Sequence, residues 1–200
     1  MENIAIENRD DEYLKGLLLD EGGYVDNPND PGGETNYGVS KKYYPGLDIK
    51  NLNPKEAKQI HKIELGKTLH HFGVNRNISY KLSDVRTNAG PGISTEILQR
   101  AINDLLYSGD APMTMFLKED GKLSKDGGDT KKRYMQVLQT YGEIPLMNAI
   151  IKHQKQYYRG EAFNTKTIHP DLVKEFGEGW INRAEYNPII GEHTRHNWRQ

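Results

Sequence analysis

The chain of 200 residues contains no cysteine. This excludes disulfides, thiolate zinc sites and a cysteine nucleophile, and the fold does not depend on an oxidising compartment. A dominant charge is also missing. With 27 Lys and Arg against 28 Asp and Glu, there is no electrostatic reason to expect nucleic acid or an anionic membrane as partner. Long apolar runs are absent too. Leu17-Leu18-Leu19 is far too short to span a bilayer, so no stable membrane insertion is expected. The start, Met1-Glu2-Asn3-Ile4-Ala5-Ile6-Glu7, lacks the basic residues and apolar stretch of a signal peptide. The expectation is a chain made in a cytoplasm that reaches any other compartment by separate machinery. No His-Glu-x-x-His, Gly-x-Ser-x-Gly elbow or phosphate loop occurs. Repeats, low-complexity tracts and alternating strand patterns of any length are likewise missing.

What is present reads as helix. Apolar residues make up 35% of the chain, an ordinary value once its 20 glycines are added, so core size is not limiting. Tyr13, Leu14, Leu17 and Leu18 share one face of a helix over residues 9–20, with Asn8 as N-cap and Asp10, Asp11 and Glu12 in the first turn. Gly22-Gly23 ends it. Residues 25–38 are too rich in Asp, Asn, Pro and Gly for a helix and read as turns with a small hairpin. Ser40 is placed to cap a short helix carrying Tyr43 and Tyr44, closed by Pro45-Gly46. Asn53-Pro54 starts a helix to about His70, with Ala57, Ile60 and Leu65 inward. Another covers 79–89. After Pro91-Gly92, residues Ile93, Ile97, Leu98, Ala101, Ile102 and Leu105 form the strongest amphipathic stripe. Residues 108–129 are loop-like, helices follow at 130–141 and 144–159, and a shorter one begins after Pro170. The fold class is mainly α, with a small β or loop element near residues 24–40. The organisation expected is an N-terminal lobe over 1–94, a C-terminal helical lobe over 95–185 and a polar tail over 186–200.

The chemistry concentrates in Glu21-Gly22-Gly23-Tyr24 and Asp30-Pro31-Gly32-Gly33-Glu34-Thr35-Asn36-Tyr37-Gly38. Such a segment does not build a core; it shapes a loop around a carboxyl group. Glu21 falls at a helix C-terminus, where the carbonyl end of the dipole disfavours a carboxylate and pushes its pKa up, the direction a general acid needs. A lone Glu at a helix end is more commonly a surface acid, but two glycines and a tyrosine directly after it offer close backbone approach and an aromatic face for a sugar ring. Glycosidic hydrolysis also uses a second carboxylate. Asp30, nine residues on, fits that role and fits plain turn chemistry equally well; Asp26 and Glu34 compete with it. Thr35 and Asn36 are placed to orient a water. Asp84, Arg86 and Asn88 either line a cleft opposite Glu21 or cap and bridge helices. Neither a metal nor a cofactor is expected. The acids of residues 26–34 miss the spacing of an EF-hand, and His61, Glu64, His70 and His71 read as solvated residues on a polar helix face.

These motifs resemble the glycoside hydrolase family 108 N-acetylmuramidases, which include phage endolysins and bacterial secretion-linked muramidases. The likeness continues in Asp84 with Asn88-Ala89-Gly90, in Leu98-Gln99-Arg100-Ala101, in the Asp120-Gly121 turn and in Phe176-Gly177-x-Gly179-Trp180-x-Asn182-Arg183. The family writes its first motif Glu-x-Gly-Gly-Tyr, whereas here Gly22 follows Glu21 directly. The Gly-Pro usual after the Asp-Gly turn is missing, and the tail after Arg183 departs as well. The resemblance implies a lysozyme-like helical bundle and cleavage of the β-1,4 bond between N-acetylmuramic acid and N-acetylglucosamine in bacterial peptidoglycan. It implies a peptidoglycan-binding role for about residues 95–185. It makes Glu21 the catalytic acid, with Asp30 and Thr35 aiding the water or the oxocarbenium ion. The Glu, Asp and Thr of phage-type lysozymes are similarly spaced, although Thr35 falls one residue short. Tyr24, Tyr37, Asn36, Asp84 and Asn88 are then substrate-binding candidates, and the protein is expected to be a monomer.

Overall fold

Helices make up most of the regular structure, as the 3.6-residue periodicity requires, and one two-stranded sheet interrupts them. The computed structural model describes residues 2–21, 23–26, 33–123 and 128–185; the side chains of residues 2–8, 19–21, 128, 175, 176 and 183 are outside that description. The chain divides into two compact units, Met1–Gly66 and Lys67–Gln200. The division falls earlier than the 94/95 boundary drawn from the sequence. The physical reason is that Ile78, Leu82 and Val85 share one core with Ile93, Ile97 and Leu98. Pro91-Gly92 therefore separates two helices of one core.

The first unit opens with α1 (Glu2–Glu21). It begins before the expected cap at Asn8, because residues 2–7 contain neither Gly nor Pro to stop a helix. Tyr13, Leu14 and Leu17 are buried on the face that their spacing foretells. The antiparallel strands β1 (Thr35–Asn36) and β2 (Val39–Ser40) pair Thr35 with Ser40 and Asn36 with Val39. Helix α2 (Pro54–Phe72) starts where Asn53-Pro54 announces it. The Asn53 side chain accepts from the amides of Lys55 and Glu56 at 3.0 and 3.1 Å, and the Glu56 carboxylate accepts from the Asn53 amide at 3.0 Å. This is a reciprocal cap in which each side chain satisfies an otherwise orphaned donor. Lys58 on α2 reaches Asp11 on α1 at 2.9 Å. Val39, Ile49, Leu52 and Ala57 form a small core on which Leu18, Tyr37, Tyr44 and Ile60 pack. The short helix expected after Ser40 is only a turn. Ser40 is held extended in β2, and its carbonyl accepts from both Tyr43 and Tyr44 at 3.1 Å before Pro45 breaks the chain.

In the second unit α3 (Arg76–Ala89) starts three residues before the sequence reading, because Asn75 caps it by accepting from the Ile78 amide at 3.0 Å. Helix α4 (Pro91–Ser108) has Pro at its first turn and buries Ile93, Ile97, Leu98, Ala101 and Ile102, each burial contributing about 1.5–3 kcal/mol for the larger side chains. A 3-10 turn (Met113–Met115) follows, then α5 (Gly128–Tyr141), α6 (Glu143–Tyr158) and α7 (Pro170–Ala184). The polar face of α4 ties down loops. The Gln99 carbonyl accepts from the amides of Asp120 and Gly121 at 3.0 and 2.9 Å. Asn103 exchanges hydrogen bonds with the Leu117 backbone at 2.8 and 2.9 Å. The motif pairs Leu98-Gln99 and Asp120-Gly121 are thus one structural element. Gly121 has φ 65°, and a Cβ there would stand 2.5 Å from the Gly92 carbonyl oxygen, so the turn requires glycine. Among the described residues no helix is long and apolar enough to cross a membrane. The polar tail over 186–200 lies outside the described residues.

Candidate active site

Glu21 is the last residue of α1. Its side chain, Gly22 and residues 27–32, including Asp30, lie outside the described residues. What is described is the frame around them. Val25 and Thr35 form an antiparallel bridge, each amide donating to the other's carbonyl at 2.8 Å. The bridge brings the two ends of the Asp26–Glu34 segment together one residue beyond Tyr24. A short meander of Val25, β1 and β2 therefore starts four residues after Glu21.

Tyr24 is 37% exposed, and its hydroxyl donates to the Glu34 carboxylate at 3.3 Å. Burial, followed by the neighbouring charges of Asp26 and Glu34, pushes the phenol up from its ordinary value, so it stays a neutral donor. The Lys50 ammonium lies 6.0 Å from the centre of the Tyr24 ring. The result is an aromatic surface edged by two carboxylates and a cation, a combination suited to a sugar ring and its hydroxyls. Of the carboxylates that compete with Asp30, Glu34 accepts from the Tyr24 hydroxyl, and the charge of Asp26 acts on the same phenol. Thr35 has its backbone fixed by the bridge, whereas among the described residues its hydroxyl makes a long 3.4 Å bond to the Gly33 carbonyl.

The remaining candidates have different surroundings. Asn36 is buried at 4% exposure, and its amide donates to the carbonyls of Ile49 at 2.9 Å and Leu52 at 3.2 Å. It fastens β1 to the 49–52 segment, and its side chain faces the protein interior. Asn36→Ala is expected to leave these buried carbonyls without that donor and to cost about 1–3 kcal/mol, measured by urea unfolding. The Tyr37 ring packs on the small core of the first unit, and Tyr37 contributes shape from beneath the hairpin. Asp84 and Asn88 belong to α3 of the second unit. Asp84 is buried at 5% exposure, and the Asn88 amide donates to its backbone carbonyl at 2.7 Å. The Asp84 charge acts on two buried groups, Lys81 and Tyr158. Lys81 is pushed down to about 8 by burial, and its ammonium donates to the Ala184 carbonyl at 2.8 Å, at the end of α7. The bond that links α3 to α7 is thus made by Lys81, with Asp84 acting on it through its charge.

Two residues of the first unit escape sequence reasoning. His61 is not solvated: it is 2% exposed, with Nε2 2.7 Å from the Tyr37 carbonyl oxygen. Its place four residues from both Ala57 and Leu65, on the inward stripe of α2, is the signal that could have revealed it. Lys50 carries no pattern, because only the fold brings it to Tyr24. Glu64, another member of that histidine-rich group, accepts from the Tyr44 hydroxyl at 3.1 Å. Among the described residues no group of three or more His, Asp or Glu side chains is arranged to hold a metal ion.

Residues 14–90 match the model of the family described as Glycosyl hydrolase 108. The matched span contains the end of α1, the hairpin, α2 and α3. No curated protein matches the chain. A solved structure described as "Structure of Brucella abortus SagA" is similar in fold, with a TM-score of 0.63 and 19% identity over 89% of this chain and 90% of that one. At that identity the likeness concerns the fold alone, and it extends well beyond residue 90 into the helices of the second unit.

Proposed function

Because residues 14–90 carry the glycosyl hydrolase 108 region, we propose that this mainly α protein is a peptidoglycan-degrading glycosidase with Glu21 as its general acid. The observation that carries the assignment is the position of Glu21 as the last residue of α1, directly ahead of the bridged Val25–Thr35 meander. The carbonyl end of a helix works against a carboxylate and in favour of the protonated acid. A protonated carboxyl beside the glycosidic oxygen is what departure of the leaving sugar requires. Asp30 supplies the second carboxylate in this reading, and Thr35, fixed by its strand, orients the attacking water. Tyr24 provides the sugar-facing aromatic surface, with Glu34 accepting from its hydroxyl.

The bond we assign is the β-1,4 linkage between N-acetylmuramic acid and N-acetylglucosamine. The biological role in this reading is that of a phage endolysin, reaching the wall through a separate pore or secretion system and acting there as a monomer. This finer reading is supported by the character of the motifs and by the family region. Purified sacculi incubated with the protein are expected to release new reducing ends in proportion to enzyme and time. Sedimentation of the protein with sacculi without new reducing ends would identify a wall-binding module and overturn the proposal.

A further inference from the structure

The proposed chemistry asks two strands of two residues each to hold Thr35 in register. So short a hairpin is marginal by itself. It is also strained at its turn: Tyr37 has φ 50° and Gly38 φ 74°. Positive φ at both central positions is the requirement of a type I′ turn, which favours Asn, Asp or Gly at the position Tyr37 occupies. A tyrosine in the left-handed region persists only where its surroundings hold it.

His61 supplies that hold. Its Nε2 lies 2.7 Å from the carbonyl oxygen of the strained residue itself. A carbonyl only accepts, so Nε2 carries the hydrogen, and in the neutral ring Nδ1 is then the bare nitrogen. Nδ1 is buried and makes no hydrogen bond among the described residues, so within them the polarity of His61 is used at one atom. Burial pushes the imidazole below its ordinary value, against the opposing pull of the Tyr37 carbonyl and of Glu64, which favours the neutral ring. Asn36 anchors the same hairpin from the adjacent position. One side chain thus restrains the strand and the other restrains the turn.

We infer that His61 is a positioning residue of the active site: its Nε2–H, donated to the Tyr37 carbonyl, holds the strained turn and so sets the placement of Thr35 two residues upstream. The inference rests on the glycosidase reading, and His61 itself does not touch substrate. The test compares His61→Phe, which keeps a ring without the donor, with His61→Gln, which keeps an N–H donor, and runs Glu21→Gln in parallel. The assay uses soluble peptidoglycan glycan fragments at a temperature where each protein is folded. His61→Phe is expected to lower kcat by about tenfold with little change in KM, and His61→Gln to recover most of that loss, as misplacement of a group that orients the water requires. Equal kcat for His61→Phe and wild type, beside an inactive Glu21→Gln, would overturn the positioning role and leave the glycosidase reading intact. Undiminished activity of Glu21→Gln would overturn the reading on which the inference rests. Should His61→Phe fail to fold, the 15N–1H spectrum of the wild-type histidines decides: the Nε2–H tautomer is expected for His61, and an Nδ1–H tautomer would overturn the hydrogen bond.

Discussion

Glu21→Gln is expected to slow the opening of sacculi by about 10²–10⁴-fold, the range that a positioned general acid contributes. The substitution keeps the size of the side chain and removes the proton that departure of the leaving sugar requires. Glu21 is the terminal residue of α1, and the helix is fixed upstream by buried Tyr13, Leu14 and Leu17 and by the Asp11–Lys58 contact at 2.9 Å. None of these contacts involves the Glu21 carboxyl, so the urea midpoint should stay close to that of wild type. The rate is measured as turbidity loss of purified sacculi. A variant that clears them at the wild-type rate would remove Glu21 from the chemistry.

Glu96→Ala should produce the largest loss of stability, about 3–5 kcal/mol by denaturant unfolding, because it breaks a buried ion pair from one side. The Glu96 side chain is fully buried on α4. Its carboxylate accepts from the amides of Asn164 and Thr165, each at 2.7 Å, and from Arg100 at 2.9 Å. Arg100 in turn lies 4.0 Å over the Phe163 ring and donates to the Ala162 carbonyl at 3.2 Å. The Glu96–Arg100 pair thus fastens the 162–165 segment to α4, beside the buried Phe163 ring and the bond from Asn164 to the Glu119 carbonyl. Burial alone would raise the Glu96 carboxyl; the hydrogen bonds from Thr165, Asn164 and Arg100 outweigh it and hold the group below its ordinary value of 4.5. A carboxyl depressed by folding contributes stability that is complete above the unfolded-state pKa and is lost as the pH falls through the folded-state value. Wild type should therefore lose stability in acid below about pH 4.5, and Glu96→Gln should flatten that part of the profile. An unchanged urea midpoint for Glu96→Ala would mean that the pair does not hold the segment.

The helices were legible because their signals are local and repeated. The Asn53-Pro54 start, the stripe of Ile93, Ile97, Leu98, Ala101 and Ile102, and the break at Pro91 all stand where the sequence puts them. Boundaries without a strong stop were not legible. Helix α1 runs back to Glu2, and α3 starts from an Asn75 cap that reads as an ordinary loop residue. The turn-rich composition announces the hairpin, but a strand of two residues has no alternation from which to read its faces, so the sequence does not show that Asn36 points inward. The polarity of His61 suggests solvent, and its place between Ala57 and Leu65 on the inward stripe of α2 overrides it. Gln99 and Asp120-Gly121 stood out as separate motifs. Their union by two hydrogen bonds became visible only once α4 and its loop were folded.

The central claim concerns which bond is opened and how. Mass spectrometry of the fragments released from purified sacculi by the wild-type protein tests it most directly. Hydrolysis with Glu21 as general acid predicts fragments that end in a reducing N-acetylmuramic acid carrying the added water. Fragments ending in 1,6-anhydro-N-acetylmuramic acid, or in a reducing N-acetylglucosamine, would contradict it.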